Sequence, residues 1–216
     1  KAASAGQRQL CRGQGAELVW QQNPAPLKSI EVLDIFRKKT APAFEVALQL
    51  GAIYAGEEQH EEVSEVLAAY SENLGIAYQI RDDLSDLGAE GETNDLAGLR
   101  PSLLLAIGHE RAKDEQKEIL TSVWRRQLPE NVTFADIETM YTQLKAIDRA
   151  DTLLATYKEE AVRSLRELEN ASLKGLLRRV VGKIFNETIV KGWCSETQSL
   201  SELEKVREQN GATIVA

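Results

Sequence analysis

The stretch Gly75-Ile-Ala-Tyr-Gln79-Ile-Arg-Asp82-Asp83-Leu-Ser-Asp86 sets one amide and three carboxylates at the end of an otherwise apolar segment. At about 100° per residue, a helix through it gathers Gln79, Asp82 and Asp86 within roughly 60° of one another, with Asp83 alongside. Like charges held that close repel one another and lose hydration, so a shared cation is one way to stabilise them. Oxygen donors favour a hard cation, and Mg²⁺ bridging to a phosphate is the corresponding chemistry. A solvated acidic helix end is the other reading, and the run alone leaves it open. A phosphate site also needs cations for charge and a hydroxyl or amide for aim. Lys39, Thr40 and Gln79 supply those types.

The elements that must position these groups read as helices, with no convincing strand alternation. Apolar periodicity predicts helices over 10–20, 31–55, 60–86, 101–109, 113–125, 133–141, 144–168 and 172–185. The first should stop before Asn23-Pro24-Ala25-Pro26, and Ser29 is expected as the N-cap of the second. Pro42 removes the backbone bond to the Lys38 carbonyl, which predicts a kink just after Lys39-Thr40. Val63, Val66, Leu67, Tyr70, Leu74 and Ala77 form the expected core stripe of the third helix. Phe134, Ile137 and Tyr141, then Leu153, Leu154, Tyr157 and Ala161, are expected core positions further on. The polar, Gly-rich interval 88–98 is expected to be a mobile loop. The chain divides into a helical domain over 1–186 and a C-terminal extension over 187–216, and short loops between amphipathic helices predict an all-α antiparallel bundle.

Composition excludes several classes of function. The chain has 216 residues, 43% hydrophobic and 28% charged, which is ordinary for a globular domain. Its net charge of −8, with no basic stripe interleaved with aromatics, argues against nucleic acid as the main partner. No apolar run approaches the roughly 20 residues that span a bilayer. Cys11 and Cys194 stand apart without metal-ligand spacing, so free thiols in a cytoplasmic protein are expected. His60 and His109 are isolated and are not expected to bind metal, and Trp20, Trp124 and Trp193 read as packing or surface anchors.

Further motifs precede and follow the acidic run in fixed order. Gly13-Gln14 with Glu17-Leu18 comes first, then Lys38-Lys39-Thr40-Ala41 and the pair Gly51-Ala52 and Gly56. Downstream lie Asp95-Leu96 and Arg100-x-Ser102-Leu103. In this order the chain resembles the trans-isoprenyl diphosphate synthases, the polyprenyl synthetase family, over most of residues 8–186. The resemblance implies an isoprenoid synthase-like helical bundle around a deep central cavity, here without the family's N-terminal helices. It implies a Mg²⁺-dependent prenyltransferase that joins an allylic diphosphate to isopentenyl diphosphate, and the family habit implies a homodimer. Asp82 would be the main Mg²⁺ ligand, with Asp83 and Asp86 supporting it through waters. Lys39 would touch the allylic diphosphate, Thr40 and Gln79 would line the site near the forming cation and departing proton, and Arg100 would bind substrate.

The chain departs from the family pattern in two places. The family's first aspartate-rich motif belongs some tens of residues before Gly13, and the start at Lys1 reads as the interior of a longer chain. The loop after the acidic run has Gly88-Ala-Glu-Gly91-Glu-Thr-Asn where a Gly-Lys pair is usual, no lysine lies between Lys39 and Lys113, and the 86–95 spacing is several residues short. The alternatives to a prenyltransferase are a non-catalytic subunit of the same family, a terpene cyclase of the same fold, or a helical module without a site.

Overall fold

The structure, a computed structural model, describes residues 1–56, 61–87 and 100–185. The expected loop at 88–98, His60, Trp193, Cys194 and the extension 187–216 lie outside the described residues. Among those described, every regular element is helical, as the sequence predicts: α1 (Ala2–Gln22), α2 (Ser29–Ala55), α3 (Glu61–Ser85), α4 (Leu103–Arg111), α5 (Asp114–Trp124), α6 (Phe134–Gln143), α7 (Ala146–Ser164) with a 3₁₀ turn at Leu165–Glu167, and α8 (Ala171–Ile184). Lys1–Lys174 form one compact unit, and a second begins at Gly175.

Two glycine contacts fix how the first three helices pack. A Cβ at Gly13 would fall 2.6 to 2.8 Å from the backbone C, O and N atoms of Lys38 and Lys39. A Cβ at Gly75 would fall 2.6 Å from the Cα of Ala41. Only a residue without a side chain lets the backbones approach so closely. Gly6, lower on α1, lies against Val46 and the Pro42 carbonyl. Residue numbers rising on α1 meet falling numbers on α2, so the two helices are antiparallel. The same holds for α2 and α3, where Ala41 faces Gly75 and Gln49 donates to the Ser64 carbonyl and hydroxyl at 3.1 and 2.9 Å.

The core of the first unit lies beneath this layer. Val32 and Phe36 of α2, Ile76 and Ile80 of α3, and the buried face of α4 meet Leu120 and Trp124 of α5 and Ile137 and Tyr141 of α6. Leu103 to Gly108 are all buried, as expected of a short helix that is apolar on every side. Trp20 packs edge-on to Trp124 with ring centroids 5.5 Å apart and donates its indole N–H to the Ala25 carbonyl at 2.8 Å, so both tryptophans are packing anchors.

Several boundaries differ from those expected. Helix α1 begins eight residues earlier than the predicted position 10, because Gly6 gives its weakly patterned start a close seat on α2. Helix α2 spans Pro42, as the predicted 31–55 stretch does, and the proline is buried. Its N-cap is Lys28, not Ser29. Glu31 reaches back to the Lys28 N–H at 2.7 Å, while the Ser29 N–H and hydroxyl donate to Glu110 at 2.9 and 3.0 Å. Phe134, expected in the core, is 46% exposed at the first position of α6, leaving Ile137 and Tyr141 as that helix's buried pair.

Candidate functional site

A cleft of about 540 Å³ opens among α1, α2, the end of α3 and the residues just before α4. Helix α1 lines it with Gln14, Glu17 and Gln21, and α2 with Ile35, Phe36 and Lys39. Gln79 and Asp82 come from α3, followed by Arg100 and Pro101. The glycine contacts explain the arrangement. Glu17 lies one turn beyond Gly13, and Gln79 one turn beyond Gly75, so the two closest backbone approaches to Lys38–Ala41 point the next turn of each neighbour at Lys39.

Adjacent lysines have different partners. Lys38 Nζ is bound to the Asp34 carboxylate, which also accepts from Arg37 at 2.6 Å. Burial alone would raise the Asp34 pKa, but the hydrogen bonds from Lys38 and Arg37 outweigh it and hold the carboxyl below its usual range. Lys39 turns to the cleft, where its Nζ lies 2.9 Å from Glu17 Oε2. Glu17 is 3% exposed and Oε2 accepts no directed hydrogen bond, so the contact is ionic.

The acidic run divides in the same manner. Asp82 is exposed and lines the cleft. Asp83 is 4% exposed, and its Oδ2 accepts from the backbone N–H groups of Leu103 at 2.6 Å and Leu104 at 3.1 Å. Those are the first N–H groups of α4, which the helix itself leaves without acceptors, and a carboxylate there also meets the positive end of the helix dipole. Ser102 completes the cap by accepting from Leu105 N at 3.2 Å. Asp86 is half-buried in the turn beyond α3. Thr40, Asp83 and Asp86 are thus not among the cleft-lining residues, while Lys39, Gln79, Asp82 and Arg100 are.

Sequence reasoning did not mark Glu17 or Gln21 as site residues. The sign was there in the spacing: 14, 17 and 21 lie on one face of a helix, and all three are polar. Among the described residues no three His, Cys, Asp or Glu side chains converge as a metal cage. The donors present nonetheless fit Mg²⁺, which keeps several waters and is commonly held by one or two carboxylates together with phosphate oxygens. Asp82 offers such a carboxylate in the open cleft. His109, not expected to bind metal, forms a 3.0 Å hydrogen bond with the Thr121 hydroxyl.

Comparison with known proteins decides the family. The sequence model described as Polyprenyl synthetase matches residues 2–144. The chain belongs to the polyprenyl synthetase family. As a polyprenyl synthetase relative it is 26% identical to the geranylgeranyl diphosphate synthase of Sulfolobus acidocaldarius over 172 residues, covering 76% of this chain and 50% of that protein. The fold matches a decaprenyl diphosphate synthase from Rhodobacter capsulatus with a TM-score of 0.76 at 20% identity, over 86% of this chain and 58% of that one. It also matches a geranylgeranyl pyrophosphate synthase from Corynebacterium glutamicum, solved with isoprenyl diphosphate and magnesium, with a TM-score of 0.70 at 21% identity over 86% and 54% of the two chains. The chain spans about half the length of the curated polyprenyl synthetase relatives it matches.

Proposed function

We propose that this polyprenyl synthetase chain carries a diphosphate-binding cleft of a trans-prenyltransferase, which condenses an allylic diphosphate with isopentenyl diphosphate to a linear polyprenyl diphosphate. The observation that carries the proposal is the convergence of Lys39, Gln79, Asp82 and Arg100, from three separate stretches of sequence, on one cleft. In the reaction the allylic C–O bond breaks and diphosphate leaves with the bonding pair. The double bond of isopentenyl diphosphate attacks the allylic carbon, and a proton is then lost. Lys39 and Arg100 bind diphosphate oxygens and stabilise the charge that develops on them. Gln79 stands near the forming cation and the departing proton, while Thr40, the other residue the resemblance assigns there, lies outside the cleft lining.

Asp82 would hold Mg²⁺ from within the cleft, whereas Asp83 holds the start of α4 and Asp86 lies outside the lining. The bound metal would neutralise the diphosphate and make it a better leaving group. Ile35 and Phe36, both buried, give the cleft an apolar wall against which a cation is protected from water.

Two broader expectations belong to the same proposal. A homodimer is one, and the exposed apolar side chains Leu50, Ile53 and Tyr54 near the end of α2 are a surface on which it could form. A free, exposed thiol at Cys11 supports a cytoplasmic setting. No helix among the described residues is long and apolar enough to cross a membrane.

The deciding experiment uses protein expressed from its complete coding sequence, supplied with Mg²⁺, an allylic diphosphate and isopentenyl diphosphate. Product should form, and Asp82→Ala should lower the rate by orders of magnitude. Absence of both product and Mg²⁺-diphosphate binding would overturn the proposal.

A further inference from the structure

One charge in the cleft has no part in the chemistry above. Glu17 is 3% exposed, and its Oε2 has the Lys39 ammonium at 2.9 Å without accepting a directed hydrogen bond. Among the described residues, the charged side chains lining the cleft are Glu17, Lys39, Asp82 and Arg100, two of each sign. A free diphosphate, a multiply charged anion, would therefore meet a lining whose formal charges cancel and whose lysine already has a carboxylate beside it.

We propose that Glu17 is a specificity-determining residue that makes the cleft select diphosphate complexed with a divalent cation over free diphosphate. The proposal rests on the diphosphate-binding role given to the cleft above. Its physical basis is the difference between the two ligands as they arrive. Free diphosphate must compete with Glu17 for Lys39 and lies close to a second carboxylate, Asp82. In a partly desolvated cleft such repulsions are several-fold stronger than in bulk water. A diphosphate carrying a divalent cation brings less net charge, and its metal turns Asp82 from a repulsive group into a ligand. Glu17 then serves to neutralise Lys39 until that complex binds.

The same ion pair could be no more than a tie between α1 and α2, and the two roles give different results. Removing one partner of a fully buried pair leaves a costly unpaired charge, but the Lys39 side chain is 29% exposed, so water can solvate its ammonium once Glu17 is neutral. Glu17→Gln is nearly isosteric, and Glu17→Met fills the same volume without a polar end. Both should fold with the wild-type helical circular dichroism and a similar melting temperature.

The test is calorimetric titration of inorganic pyrophosphate into wild type and both variants, once with Mg²⁺ and once with a chelator. Wild type should bind markedly more tightly with Mg²⁺. In Glu17→Gln and Glu17→Met the metal-free affinity should rise roughly tenfold or more, narrowing the Mg²⁺ preference by that factor. An unchanged preference in folded variants would overturn the proposal, and so would failure of both variants to fold, since Glu17 would then be a structural tie. If wild type binds no pyrophosphate even with Mg²⁺, the diphosphate role of the cleft falls, and this proposal with it.

Discussion

Gly13 rests on the carbonyl of Lys38, the α2 acceptor that Pro42 deprives of its backbone N–H. A Cβ at Gly13 would lie 2.6 Å from the Lys38 carbonyl carbon, 2.7 Å from its oxygen and 2.8 Å from the Lys39 nitrogen, so α1 rests on the face of that peptide group. The close approach of α1 thus falls on the peptide that carries Lys39, and Lys39 takes its position from that junction.

Gly13→Ala should therefore destabilise the protein by about 1–3 kcal/mol, since backbone rather than a flexible side chain must move. Gly51, also inside α2, has nothing within 4 Å of a Cβ. Gly51→Ala should stabilise by about 0.5–1 kcal/mol through lower unfolded-state entropy. Urea denaturation of the two variants should show shifts of opposite sign.

The neighbouring aspartates should separate stability from binding. Asp83→Ala strips the buried Leu103 and Leu104 N–H groups of their acceptor and should cost about 1–3 kcal/mol or more, with Asp83→Asn recovering much of it through the amide oxygen. Asp82→Ala removes an exposed side chain and should change stability by less than about 0.5 kcal/mol. It should nevertheless weaken Mg²⁺-dependent pyrophosphate binding. Thermal melts and calorimetry on the same preparations check both halves.

His109 gives a pH dependence with a definite sign. Burial, followed by the nearby Lys117 charge, lowers its pKa from the usual 6.5, against the smaller pull of Glu110. Between the lowered folded value and 6.5 the unfolded chain binds more protons, so stability rises with pH through that window. The contribution is fully present above pH 6.5 and is lost as pH falls through the folded value. Melting temperatures measured across this range should show the slope in wild type and a flatter one in His109→Gln.

Glu110 tests a cap supplied from far along the chain. It lies 81 residues from Ser29, whose backbone N–H and hydroxyl it accepts at the start of α2. Glu110→Ala should cost about 0.5–2 kcal/mol, the range of a lost N-cap. Hydrogen exchange should show the loss first in the opening turn of α2.

Helix existence was legible because a buried stripe at 3.6-residue spacing leaves its mark in any amphipathic segment, as at Val66, Leu67, Tyr70 and Leu74. The early start of α1 was not, since Ala2 to Gly6 carry no such pattern and depend on a contact with α2. In the cleft, Lys39, Gln79 and Asp82 could be picked out because their types bear the chemistry, and Arg100 because of the motif it shares with the family the chain resembles. Glu17 was harder: a carboxylate on a helix ordinarily faces water, and only the fold brings it against Lys39. The commitment of Asp83 to α4 was likewise hidden, because its partners lie 20 and 21 residues away.

That bridge from Asp83 to Leu103 and Leu104 also bears on how the chain can vary in length. It pins the end of α3 to the start of α4, which places Asp82 and Arg100 at the cleft whatever lies between them in sequence. A few residues inserted between 87 and 100 should therefore leave both cleft residues in place, read as an unchanged affinity for Mg²⁺-pyrophosphate. The stretch can change length by small steps while its two ends stay locked.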